Sequence, residues 1–264
     1  MSKFQKPSQE LSIEETLSWT FDLYTRNFVT FFVPMLVALL VSGVFSFIIS
    51  SYALSMPVPG AGASNKELLD WFYNFAAKLL AATFTLGILS WIVSSLATGV
   101  VIKSASNLTE KGTANLGEAF SFAASKLLSV LVATVIIAVL VTLGMIALIV
   151  PGIIIALMFS IAIPAILIED IGAMNGLSRS RKLVSKRWLK TFVLLLIVGL
   201  IVGVITYVAS LVATPFGLFG WTISSIVTAF VEPLIPISLV VYYYSMLAKE
   251  EQWQKIQTPP PPPF

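Results

Sequence analysis

Six long apolar runs, at 28–50, 71–102, 127–150, 153–168, 191–213 and 221–247, dominate this sequence. A hydrocarbon core of about 30 Å needs roughly 20 consecutive apolar residues in a helix to cross it. The runs are rich in alanine, leucine and isoleucine and lack strict alternation, so they predict helices and not barrel strands. Of the 264 residues, 57% are hydrophobic and 11% charged, against about 25% charged in a soluble domain. One soluble core of this size could not hide so much apolar surface. The expected fold is all-α: a polytopic membrane protein with six transmembrane helices in one domain over 1–250, and a polar, polyproline cytoplasmic tail over 251–264.

The fourth run is short. At ~1.5 Å per residue its 16 residues reach about 24 Å, and Pro164 inside it predicts a kink. A short spanning helix, hairpinned to its neighbour across Pro151-Gly152, is expected; a re-entrant helix is the alternative.

Lysine and arginine set the orientation. An even number of spans puts both termini on one side, and that side holds all the basic residues except Lys66 and Lys78. Both termini are therefore expected in the cytoplasm of a cell whose plasma membrane carries the protein. Glu10, Glu14, Glu15 and Asp22 ahead of a late, long first run argue against a cleaved signal. Asn107-Leu108-Thr109 matches a glycosylation sequon but falls on the cytoplasmic side, where it would not be used.

A pattern recurs before each odd-numbered span. Ser12-Ile13-Glu14-Glu15 is a capping box, Asn115-Leu116-Gly117-Glu118 offers similar chemistry, and Gly172 with Asn175 occupies the same register. Leu17-Ser18, Phe120-Ser121 and Leu177-Ser178 then align. Three cytoplasmic interfacial helices are expected, each heading a helical hairpin, in a threefold repeat over 11–102, 115–168 and 171–247.

The third of these helices is the most basic. Met174, Leu177, Val184 and Trp188 share one face, with Arg179, Lys182, Lys186 and Lys190 on another and Arg181 and Arg187 beside them. This is the pattern of a helix lying among anionic headgroups with Trp188 as anchor, each basic residue contributing roughly 1 kcal/mol of attraction. A docking surface for a soluble partner or a membrane-protein partner is the alternative. Nucleic acid is not an expected partner, since these charges lie where lipid phosphate already is.

Glu232 is the one acid well inside a span, about eleven residues or ~16 Å from the outer end of the sixth. Near the midplane with no cation in any span, it is expected to be neutral unless water or a cation reaches it. Pro233 and Pro236 should free the carbonyls of Ala229 and Glu232, and Thr228 is placed to bond the carboxyl. Together they form a candidate proton, cation or substrate site; a kinked, buried helix is the plainer explanation. Gly199 and Gly203 in the fifth span, and Gly87, Ser90 and Ser94 in the second, form small-residue stripes that predict close helix packing or a homodimer seam.

The outer side is thin, with Pro57-Val58-Pro59-Gly60 as a loop, Ser64 to Glu67 as a further capping box, and Trp71, Phe72, Tyr73, Phe219 and Trp221 as an aromatic belt. The absence of cysteine and histidine excludes disulfides, thiol chemistry and histidine-ligated metals. Glu169 and Asp170 read as a helix end, with Asp170 capping the next helix, and Glu250-Glu251 as a solvated tail. No catalytic residue, metal or cofactor is expected.

Pro151-Gly152-Ile153-Ile154, Pro164, Glu169-Asp170, Leu177, Ser180-Arg181, Leu183 and Trp188 resemble a diffuse family of prokaryotic six-helix proteins. Its named members are the membrane domains that precede some glycerophosphoryl diester phosphodiesterases. Val241-Tyr242-Tyr243-Tyr244-Ser245-Met246-Leu247 is similar to that family's tyrosine-bearing last helix. The soluble phosphodiesterase barrel is absent here, so the resemblance implies the fold and no enzymatic activity. The expected function is a non-catalytic membrane component: an accessory subunit, scaffold or lipid-organising protein. A small transporter or lipid-handling permease using Glu232 is the alternative.

Overall fold

The computed structural model describes residues 6–257. Ten α-helices follow in order: α1 Ile13–Arg26, α2 Phe28–Leu54, α3 Asn65–Lys111, α4 Leu116–Ala147, α5 Ile149–Met158, α6 Ala162–Ile168, α7 Ala173–Val184, α8 Trp188–Ala213, α9 Gly217–Val231 and α10 Leu234–Gln257. Among the described residues there is no strand. Six stretches are long and apolar enough to cross a membrane: α2, α3, α4, the α5–α6 pair, α8 with its following turn, and the α9–α10 pair from Thr222.

The helix starts obey local chemistry. Ser12 Oγ accepts the Glu15 amide at 3.1 Å while the Glu15 carboxylate accepts the Ser12 amide at 2.7 Å. Ser64 and Glu67 repeat that reciprocal box at the head of α3. At α4, Asn115 accepts the amides of Gly117 and Glu118, but Glu118 turns away to Lys111 at 3.5 Å. At α7, Gly172 caps without a side-chain bond. Asp170 does not cap that helix; it adopts φ 56° and pairs with Lys126 at 2.6 Å.

Proline positions correct the expected breaks. Pro151, Pro164 and Pro236 each stand third in a new helix, in α5, α6 and α10. The first amides of a helix have no carbonyl to meet, so a proline there forfeits no hydrogen bond. The chain turns before each one. The α4–α5 hairpin bends at Leu148, so Pro151-Gly152 is not the loop but the first turn of α5. Gly152 is needed there because a Cβ would stand 2.6 Å from Met145 Cγ on α4. The fourth span breaks outright between Met158 and Ala162.

The second polar helix of the expected trio is not separate: residues from Leu116 run without interruption into the span as α4. The third ends at Val184, and Trp188 opens α8. Trp188 therefore does not extend the face of Met174, Leu177 and Val184. The helical tail reaches Gln257, past the expected boundary at 250. Pro259 to Pro263 lie outside the described residues, as do the side chains of Phe219 and Trp221.

The sequence-neighbouring pairs α2–α3, α3–α4, α4–α5 and α8–α9 pack most extensively. Their burial is uneven. Within α3, every buried residue lies between Ala97 and Thr109. The core gathers at that end, around α10, whose residues from Leu234 to Met246 are nearly all enclosed.

Tyr242, Tyr243 and Tyr244 mark its centre, each at most 1% exposed. Successive helical residues turn by about 100°, so three in a row address three sectors. Tyr242 Oη lies 3.0 Å from Thr191 Oγ1 on α8, Tyr243 donates to Glu169 after α6 at 2.5 Å, and Tyr244 donates to Glu110 on α3 at 2.9 Å. Alongside, α1 runs antiparallel to α10: Leu11 N–H donates to Ser245 Oγ at 2.8 Å, and Tyr24 Oη donates to the Phe230 carbonyl.

Candidate functional site

The basic residues expected to face headgroups divide into two sets. Arg179 is half-buried between two carboxylates, with Nε 2.9 Å from Glu169 and an Nη 2.7 Å from Glu250. Burial alone would lower the guanidinium's pKa, but hydrogen bonds to Glu250 and Glu169 outweigh that and raise it. Arg187 and Lys190 converge on Glu10 at 3.5 and 2.9 Å, joined by Lys249. Burial would raise the Glu10 carboxyl, yet the hydrogen bonds from Lys249 and Lys190 and the charges of Lys190 and Arg187 hold it below its ordinary value.

Arg181, Lys182 and Lys186 form the outer set, and all three are exposed. Lys182 is 70% exposed even though it reaches Glu250 at 3.1 Å. Trp188 and Leu189 beside them are exposed as well. The candidate surface is thus the outer set with this apolar pair, while Arg179, Arg187 and Lys190 tie the bundle together. Glu10, Glu169 and Glu250 were not singled out as partners by sequence reasoning. A signal was available for two of them: Glu169 directly follows the fourth span and Glu250 lies near the end of the sixth, whereas Glu10 stands ahead of α1, far in sequence from any span.

Glu232 closes α9 at the break before α10. Its surroundings revise the expected site. Phe230, two residues earlier, stacks on Phe28 at 5.0 Å and packs on Phe32 at 4.6 Å. Those rings belong to the first two turns of α2, so the carboxyl stands near the height at which that span begins after Arg26. It is level with the start of α2 and not with its middle. The Glu232 carbonyl is not free either, since it accepts the Ile235 amide at 3.2 Å, and the Pro233 carbonyl accepts Ile237 at 3.1 Å. Thr228 Oγ1 donates to Ser224 at 2.9 Å and does not reach the carboxyl. Among the described residues, no hydrogen bond or ion pair meets the Glu232 side chain.

The glycine stripes are not internal contacts. A Cβ added at Gly87, Gly199 or Gly203 would meet nothing within 4 Å, and Ser94 is exposed with Ser90 half-buried. The close approach lies elsewhere: at Gly176 a Cβ would stand 2.3 Å from Ile166 Cγ1.

Two apolar cavities flank α2. One, of about 330 Å³, is lined by Val33, Pro34, Val37, Leu96 and Phe120. The other, of about 310 Å³, lies against α9 and is lined by Phe32, Leu36, Leu40, Thr222 and Ser225. Among the described residues, no cluster of three acids could hold a metal ion.

Comparison with known proteins returns one family model, described as a domain of unknown function (DUF7847), which matches residues 70–248. No curated protein matches, and no solved structure matches.

Proposed function

The chain belongs to the DUF7847 family, and from that premise we propose that it is a non-catalytic component of the plasma membrane, an accessory subunit, scaffold or lipid-organising protein. The observation that carries this is the sorting of its basic residues. Arg181, Lys182 and Lys186 stay exposed beside Trp188 and Leu189 at the start of a span, which suits anionic headgroups or an acidic partner. The lysine and arginine bias supports cytoplasmic termini, and α1, the head of α4 and α7 are the three interfacial segments of a threefold repeat. The motifs around Pro151 and Trp188 support kinship with the phosphodiesterase membrane domains.

Native mass spectrometry after gentle solubilisation tests the proposal. A stoichiometric second polypeptide or retained anionic lipid is expected, and charge reversal of Arg181, Lys182 and Lys186 should release it. Retention unchanged by that reversal would rule the surface out.

A second reading, transport or lipid handling, draws on the Glu232 carboxyl, which meets no partner among the described residues at a helix break, and on the cavity along α2 and α9 with Thr222 and Ser225 in its wall. It requires Glu232→Gln to abolish substrate uptake into proteoliposomes while the melting temperature holds. Uptake at the wild-type rate in that variant removes it.

A further inference from the structure

Three cations converge on one carboxylate at the cytoplasmic end of the bundle. Glu10 receives Lys190 Nζ at 2.9 Å, Arg187 Nε at 3.5 Å and a direct hydrogen bond from Lys249. The Glu10 and Arg187 side chains are each only 17% exposed. Glu15 also lies within the field of Lys190, but its carboxylate is committed to the Ser12 amide. One negative charge thus faces three positive ones in a partly buried place, where mutual repulsion of the surplus is poorly screened.

A phosphate monoester would balance the cluster better. It carries about −1.5 to −2 charges near neutral pH and three strong acceptor oxygens, against one charge on a carboxylate. The three donors stand on two rigid supports, the start of α8 and the C-terminal part of α10. Arg187 and Lys190 also bracket the exposed Trp188 and Leu189, at the level where an aromatic belt meets headgroups.

The segment that delivers Glu10 crosses the bundle as an extended stretch, anchored by the buried Pro7 and Leu11 and by Lys6, which lies 4.0 Å from Glu110. Besides the ion pairs, Leu11 N–H donates to Ser245 Oγ at 2.8 Å, Lys190 donates to the Leu11 carbonyl at 2.7 Å, and Gln252 donates to the Ser8 carbonyl at 2.9 Å. Residues 6–12 form a strap across the ends of α8 and α10, with Glu10 as its plug.

We propose that Arg187, Lys190 and Lys249 form a binding site for a phosphate monoester, that Glu10 fills this site in its absence, and that the ligand's arrival expels Glu10 and frees the strap. This deepens the headgroup reading above but uses none of Arg181, Lys182 or Lys186. The shared chemistry is the monoester phosphate, carried either by a phosphatidic-acid-type lipid or by a soluble phosphate.

The chain has no cysteine, so Ser8→Cys with Ser178→Cys, both at exposed positions, gives a clean pair for spin labels. Pulsed electron paramagnetic resonance on the full chain in detergent should show one narrow distance distribution. Dioctanoyl phosphatidic acid should add a second, broader population, and dioctanoyl phosphatidylcholine should not. Arg187→Gln with Lys190→Gln should abolish the effect. Glu10→Gln should show the second population without ligand and bind phosphatidic acid about fivefold more tightly, read by native mass spectrometry. Inorganic phosphate reproducing the shift supports the site and assigns it a soluble ligand. No shift with either probe, or a shift that survives loss of Arg187 and Lys190, overturns the proposal. Reversal of Arg181 and Lys186 that leaves lipid retention intact would sink the outer surface alone and leave this site standing.

Discussion

The Ser180 hydroxyl on α7 donates to the Met158 carbonyl at the end of α5, at 2.7 Å. That carbonyl lacks its helical partner because the Ala162 amide turns to Phe159 instead, at 3.0 Å. A neighbouring helix thereby satisfies the carbonyl that the break in the fourth span leaves without a helical partner. Ser180→Ala should cost about 1–3 kcal/mol, read as a lower Tm by circular dichroism in detergent. A wild-type Tm would show that another donor reaches the carbonyl.

Glycines give a paired prediction. Gly176→Ala drives a methyl to within 2.3 Å of Ile166 Cγ1, and overpacking of this kind costs about 1–3 kcal/mol. Gly199→Ala and Gly203→Ala enter open space in the interior of α8 and should be neutral or stabilising, by up to about 1 kcal/mol. Thermal melts of the monomeric detergent complex check both; equal effects at the three positions would contradict the packing described for α6 and α7.

Tyr243, Glu169 and Arg179 act as one unit, since Tyr243 and Arg179 both donate to Glu169 Oε1. The losses from Tyr243→Phe and Arg179→Gln should therefore not add. A double-mutant cycle is expected to give a coupling of about 0.5–3 kcal/mol; strict additivity would show two independent contacts.

Acid should loosen the N-terminal strap. Glu10 is held below its ordinary value of 4.5 in the folded protein. A depressed carboxylate contributes stability above its unfolded pKa and loses it as pH falls through the folded value. Stability should thus decline below about pH 4.5, with a gentler slope in Glu10→Gln. Unfolding curves between pH 3 and 7 read the difference, and parallel curves would deny Glu10 this role.

The apolar runs made six spans legible, because length and hydropathy alone decide whether a helix can cross lipid. Helix ends were read less well, and with a consistent bias. The sequence pattern points to a loop at Pro151 and to kinks at Pro164 and Pro236, whereas each stands third in a helix that begins after the turn. Composition marks the proline, while the turn depends on which amides can go unpaired. The basic cluster was visible as charge, but its division was not. Glu10 lies 180 residues from Lys190 and 239 from Lys249, and no periodicity in a single helix reports such pairings. The level of Glu232 along the bundle is not legible in its own helix, since it follows from the contacts of Phe230 with Tyr24, Phe28 and Phe32.

The tyrosine triplet has a consequence for how the chain is made. Ribosomes deliver residues in order, so the hairpins α2–α3 and α4–α5 leave the insertion machinery before α10 exists. Until Tyr242, Tyr243 and Tyr244 arrive, Thr191, Glu169 and Glu110 have no common partner, and Leu11 must wait 234 residues for Ser245. Helices α2 to α6 can pack together as they emerge, through α3 against α4 and α6 against both, but the polar groups at their ends gain their shared support only when α10 arrives. A nascent chain arrested before residue 242 would hold packed spans whose Glu110, Glu169 and Thr191 side chains still lack their tyrosine partners.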